Sequence, residues 1–211
     1  MLGANDGIVS TASLIVGVAA ASDDRSVILI AGIAGLVAGA MSMAAGEYVS
    51  VSSQSDTERA DLETERQALK DEPEGELEEL TKIYISRGVD RDVAREVAVQ
   101  LTEHDALAAH ARDELGITET ASAQPVQAAL TSAAAFSIGA LLPLIAMMLA
   151  PIALAIPIVA AATLASLALL GTLSAQAGGA GVLKAAARVT IWGAIAMALT
   201  AAIGSMVGKV I

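Results

Sequence analysis

From Thr120 to Leu183 the chain runs for 64 residues without a charge, and Val27–Gly46 and Val189–Gly208 are each uncharged over 20. One bilayer span needs about 20 residues at roughly 1.5 Å of rise each, so the long run holds two spans and each shorter run holds one. Residues 1–22 make a fifth apolar stretch, interrupted by Asp6. In hydrocarbon only a helix or a closed barrel satisfies its own backbone polar groups. The pattern therefore predicts membrane helices over roughly 1–22, 27–50, 126–149, 152–175 and 185–208. Pro151 is placed to turn the chain after the third span, Gly178, Gly179 and Gly181 loosen the connection after the fourth, and Pro143 and Pro157 are expected to kink their helices. The pairs Gly35/Gly39 and Gly204/Gly208 sit four residues apart, a spacing that either lets another helix approach closely or is an incidental run of small residues.

Residues 54–122 interrupt this apolar pattern with a polar, helical one. A break at Pro73 and Gly75 divides it, and three helices are expected: one continuing from the second span to about Lys70, one over about Glu76–Ser86, and one from near Asp90 to Gly116. Val93, Val97, Leu101, Ala108 and Leu115 fall on one stripe of the third, predicting that this stripe packs on the other two. The predicted fold is an all-α integral membrane protein with five transmembrane helices and a cytosolic three-helix acidic domain inserted between helices 2 and 3. Its divisions are 1–53, 54–122 and 123–211.

Charge sharpens this division. Residues 54–122 hold 19 Asp and Glu against 8 Lys and Arg, whereas the rest of the chain holds 4 of each. The membrane part is formally neutral, and the acidic segment repels nucleic acid and favours cations. Aromatic residues make up 2% of the chain, too few for stacking on bases. Cysteine is absent, which removes disulfides and thiolate ligands. Met1 opens directly into the first apolar stretch, with no basic leading region or small-residue cleavage site. With the acidic segment in the cytosol, Lys184 and Arg188 fall on the same side and Arg25 and Lys209 on the other, so ten of the twelve basic residues face the cytosol.

Asp6 and Glu47 lie within or at the edge of the expected hydrocarbon, where ionisable groups are costly and mark function by default. Met43 precedes Glu47 by one helical turn, so thioether and carboxylate share a face. That mixture of soft and hard donors suits a borderline transition ion better than calcium or magnesium. Spacing alone also leaves Met43 as a gap filler and Glu47 as an interface marker. In the acidic segment Glu58, Asp61 and Glu65 share one helix face, Glu72, Glu76 and Glu79 follow at spacings of four and three, and Glu103, His110 and Glu114 align on the third helix, on the face opposite its apolar stripe. Each set is able to supply ligands, but taken alone such acidic faces are more often simply solvated, so the pattern does not establish a metal site. No phosphate-binding GxxxxGK[ST], HExxH or GxSxG motif is present, so the residues propose no ATPase, protease or other enzyme.

The blocks GANDGIVSTASL (Gly3–Leu14) and GLVAGAMSMAAGEYVSVSSQ (Gly35–Gln54) resemble the vacuolar iron transporter family. The resemblance continues through ELEELTKIY (Glu76–Tyr84), HDALAAHARDELGI (His104–Ile117) and PVQAALTSAAAFSIGALLP (Pro125–Pro143). It implies a homodimer of five-helix protomers with a pathway at the dimer interface, a cytosolic helical domain that binds metal, and proton-coupled export of ferrous iron, with manganese or related ions, from the cytosol. Carried over by residue, Asp6 and Met43 match the pathway aspartate and methionine, Glu47 belongs to the adjoining GE motif, and Glu65, Glu76, Glu79 and Glu114 match metal-binding glutamates. Two positions depart from that pattern: Ala68 stands where a further glutamate is expected, and His110 with Ala111 where plant members carry adjacent methionines. The stretch before the first span is also shorter than the family's usual arm.

These readings converge on a secondary transporter of divalent metal, with iron and manganese, and also cobalt, nickel or zinc, as chemically admissible cargo. No organic cofactor is expected, and the partners are metal ions, protons, the bilayer and a second copy of the chain. The compact, Ala-rich chain resembles a bacterial plasma-membrane member. The alternatives are a membrane-anchored metal sensor or store without flux, and a scaffold whose acidic helices recruit a basic partner.

Overall fold

The computed structural model describes residues 2–117 and 124–210. Seven α-helices are found there: α1 (Leu2–Ala21), α2 (Arg25–Asp71), α3 (Pro73–Ser86), α4 (Arg91–Asp113), α5 (Pro125–Leu149), α6 (Ala155–Ala177) and α7 (Val182–Val207), with a 3₁₀ turn at Ile152–Leu154 before α6. Five of them are long and apolar enough to cross a membrane: α1, α2, α5, α6 with its preceding turn, and α7. At 47 residues α2 is more than twice the roughly 20 that one span requires. The expected domain boundary at residue 122 falls outside the described residues.

The chain divides into two compact units, Met1–Tyr48 with Val126–Ile211, and Val49–Pro125. In the first, Ala12, Ile15 and Val16 of α1 pack into one core with Ile28 of α2, Leu144 and Met147 of α5, Val159 of α6 and Met197 of α7. The helices of this unit carry too few polar residues to show which face is inside, and small residues decide the contacts instead. A Cβ on Gly7 would overlap the Phe136 carbonyl, one on Gly139 would overlap that of Ala4, and one on Gly204 would overlap that of Gly17. Gly35 and Gly39 likewise give room to Leu14 and to the Phe136 ring, so the pairs singled out by spacing are sites of close packing within the chain. Pro143 lies inside α5, whereas Pro157 occupies the first turn of α6, where a proline is tolerated and no kink is required. Arg25, at the start of α2, donates to the carbonyls of Met147 (3.3 Å), Met148 (2.9 Å) and Ala150, and so caps the open C-terminal end of α5.

The second unit is built from Val49–Asp71 of α2 with α3 and α4. Pro73 is the first residue of α3, a position whose missing N–H would be unpaired in any case. Gly88, at φ +91°, makes the turn into α4, and the Asp90 carboxylate caps α4 through the Asp92 amide at 3.0 Å. Leu80, Ala98 and Ala109 form the core, with Leu77, Ile83, Tyr84 and Leu101 packed around it. The face of α4 turned inward is therefore Ala94, Ala98, Ala109, His110 and Ala111, one residue removed from the expected stripe, while Val93 and Ala108 are exposed. Further along, Asp105 interrupts the helix: its backbone is non-helical (φ −161°, ψ 94°) and its carboxylate accepts from the Ala108 amide at 3.0 Å. Asp105 thus acts as an N-cap inside α4, and after it His110 and Ala111 are buried together with Ala109.

Candidate functional site

In the Val49–Pro125 unit, α2 contributes Glu65, α3 contributes Glu76, the restarted end of α4 contributes His110, and Glu114 follows at its C-cap. One ligand atom from each lies within 4.8 Å of all the others. His110 Nδ1 stands 2.9 Å from Glu114 Oε2, 3.0 Å from Glu65 Oε1 and 3.8 Å from Glu76 Oε2. A first-row divalent ion holds oxygen and nitrogen donors at about 2.0–2.2 Å, which separates adjacent donors by roughly 3 Å and opposed ones by roughly 4 Å. The four donors are already at that scale.

Burial gives the cluster its electrostatic character. His110 is fully buried and Glu65 is 7% exposed. Burial pushes the Glu65 carboxyl above its ordinary value, and the charges of Glu114, Glu76 and Glu79 push it the same way, against the opposing influence of His110. Among the described residues, Glu65 Oε1 and His110 Nε2 are buried without a well-formed hydrogen bond. A carboxylate-rich pocket with an orphaned buried oxygen is chemically suited to a cation.

Beside this cluster a second set of side chains fixes the end of α4. Asp113 accepts from Tyr84 Oη at 2.7 Å, Arg87 Nη1 at 2.6 Å and Arg112 Nη2 at 2.6 Å, and Arg87 also reaches the Asp113 carbonyl at 3.0 Å. Burial pushes the Asp113 carboxyl up, yet the hydrogen bonds from Arg112, Arg87 and Tyr84 outweigh it and hold it well below the usual carboxylate range. The Tyr84 hydroxyl is raised by its own burial and by its bond to Asp113. This clamp ties α3 to the residue next to Glu114. Tyr84 and Arg87 are 29 and 26 residues from Asp113 in sequence, so no local spacing signals the clamp.

The remaining candidates in this unit are not among the four converging donors, though Glu79 is near enough to raise Glu65. Glu58 accepts from Gln54 at 2.9 Å, and Asp61, Glu72, Glu79 and Glu103 are exposed. Glu79 lines a shallow surface pocket with Lys82 and Ser86, on the side of α3 that carries Gly75. His110 was expected on the solvent face of α4 with Glu103, but the break at Asp105 separates the two and turns His110 inward. The signal for that turn was an Asp followed by an alanine-rich helical run, an N-cap pattern within a helix.

In the other unit, Asp6, Ser10, Thr11 and Leu14 of α1 and Gly35, Gly39, Ser42 and Met43 of α2 line a cavity of about 210 Å³, closed on one side by Phe136 of α5. Asp6 and Met43, on different helices, therefore border one space. Glu47 is exposed and does not line it.

A multi-helix membrane protein with an exposed carboxylate and a thioether on one cavity between apolar helices, and a carboxylate–imidazole cluster besides, belongs to the class of ion-handling membrane proteins. The chain is a member of the VIT family, whose pattern matches residues 1–205. It is 48% identical over 205 residues to a vacuolar iron transporter of Acanthamoeba castellanii, covering 97% of this chain and 76% of that relative. It is 37% identical over 209 residues to vacuolar iron transporter homolog 1 of Arabidopsis thaliana, covering 99% and 81%, and 39% identical over 201 residues to vacuolar iron transporter homolog 1 of Oryza sativa subsp. japonica, covering 95% and 68%. The family is one of transporters, and its membership makes this chain a multi-pass membrane protein of metal transport.

Proposed function

We propose that this protein moves ferrous iron, and manganese as a second cargo, out of the cytosol in exchange for protons. The observation that carries the reading is the shared cavity of Asp6 and Met43. A carboxylate that binds a cation in one state and a proton in the other provides the exchange. Met43 adds a soft donor that selects transition ions over calcium and magnesium, and Glu47 attracts cations near the end of the pathway.

Glu65, Glu76, His110 and Glu114 gather the ion before transport, with Glu79 adding negative charge close by. In this reading the acidic segment, residues 54–122, and the amino terminus face the cytosol of a bacterial cell, and the working unit is a homodimer. The relatives named as iron transporters support iron as cargo. The rival reading, a sensor or store that only anchors in the membrane, gives no role to an acid within α1; the cavity at Asp6 favours transport. The test is ferrous iron uptake into reconstituted vesicles under a pH gradient, with Asp6→Asn and Met43→Leu alongside the wild type. Uptake that depends on the gradient and is lost in both variants supports the proposal; metal binding without flux establishes the sensor.

A further inference from the structure

Hydroxyl groups within apolar helices ordinarily return their proton to a carbonyl one turn back. Ser10 does so to Asp6, Thr131 to Gln127, Ser137 to Ala133, Ser166 to Ala162 and Thr172 to Ala168. Thr11 does not. It is 1% exposed, and among the described residues its Oγ1 has no hydrogen-bond partner. Ser13, Thr163 and Thr190 share that lack, but of the four Thr11 is the one that lines the cavity bordered by Asp6 and Met43. A buried hydroxyl without a partner is a standing cost. A site visited by a hydrated or partly dehydrated cation offsets that cost each time the ion or its water enters.

We propose that Thr11 is a selectivity residue of this cavity, its hydroxyl supplying a neutral oxygen, directly or through water, to a divalent ion held by Asp6 and Met43. This inference rests on the transport reading above. Asp6 and Met43 alone offer one hard and one soft donor, which suits ions content with few ligands. Six-coordinate ions such as ferrous iron and manganese need more oxygens than a four-coordinate zinc ion does. Ser10 and Ser42 also stand on the cavity wall, the Ser10 hydroxyl already donating to the Asp6 carbonyl. The hydroxyl of Thr11 therefore raises the donor number where it discriminates between these ions.

The test uses the full chain in proteoliposomes, measuring uptake of ferrous iron, manganese and zinc by the wild type, Thr11→Val, Thr11→Ser and Asp6→Asn. Valine keeps the shape and removes the oxygen; serine keeps the oxygen. The expected result is a rise of about tenfold in the half-saturating concentration of iron and manganese for Thr11→Val, a clearly smaller rise for zinc, and near wild-type values for Thr11→Ser. Elution as a single species and an unchanged unfolding temperature in detergent show that each variant is folded. The inference is overturned if Thr11→Val matches the wild type for all three ions, or if valine and serine variants lose all three ions equally. If Asp6→Asn is inactive while Thr11→Val is unchanged, the transport reading stands and this inference falls. A wild type without flux of any ion defeats both.

Discussion

At the scale of single residues, Glu65 carries opposed demands. Its carboxylate is nearly buried, faces other acids and is pushed above its ordinary value of 4.5, first by burial and then by Glu114. A raised carboxyl favours folding below 4.5, and that contribution is lost as the pH rises through the folded-state value. In the presence of a chelator, the thermal stability of the protein should therefore fall as the pH is raised across that interval. Added manganese, which binds the deprotonated carboxylate, should restore more stability at the higher pH. Glu65→Gln separates the two demands: calorimetry should show manganese binding weakened at least about tenfold, while the chelated variant should melt at a higher temperature than the wild type. A variant that binds metal normally would remove Glu65 from the site. Asp113 has the opposite sign. Its contribution is present above its ordinary value of 3.8 and is lost only as the pH falls through its depressed folded value, so the clamp holds throughout the neutral range.

At the scale of elements, what the clamp does is hold α3 against the last turn of α4. Asp113→Asn removes no metal donor, yet it weakens the tie from Tyr84 and Arg87 beside Glu114. It should lower stability by about 1–3 kcal/mol and reduce manganese affinity; unaltered affinity in a destabilised variant would show that the clamp does not position the site. In the membrane unit the sensitive points are the small residues. Gly7→Val places side-chain carbon on the Phe136 carbonyl and should cost on the order of 1–3 kcal/mol, read as a lowered unfolding temperature in detergent. The spans were legible in the sequence because charge-free runs of spanning length have few other uses. The C-terminal ends of α2 and α3 were legible too, near Lys70 and at Ser86, whereas α3 begins at Pro73, inside the expected break and three residues before the expected start. The inward face of α4 was not, because alanines rather than the larger valines beside them face the core at Ala94 and Ala98, and the break at Asp105 then brings His110 inward as well. Glu65, Glu76, His110 and Glu114 were named beforehand, but their convergence depends on three helices meeting, which local spacing does not encode. The Tyr84–Asp113 bond lay beyond reach for the same reason.

At the scale of the whole molecule, orientation in the bilayer matters as much as chemistry. The chain contains no cysteine, so a single exposed substitution such as Lys82→Cys reports sidedness without background. An impermeant thiol reagent should label it in inverted membrane vesicles and not in intact cells; the reverse pattern would turn the proposed orientation over. The most direct test of the central claim is metal flux itself. Proteoliposomes holding the wild-type chain should accumulate ferrous iron when a proton gradient is imposed, lose that uptake when the gradient is collapsed, and show none with Asp6→Asn. Binding of iron with no gradient-dependent accumulation by the wild type, or accumulation undiminished in Asp6→Asn, would contradict it.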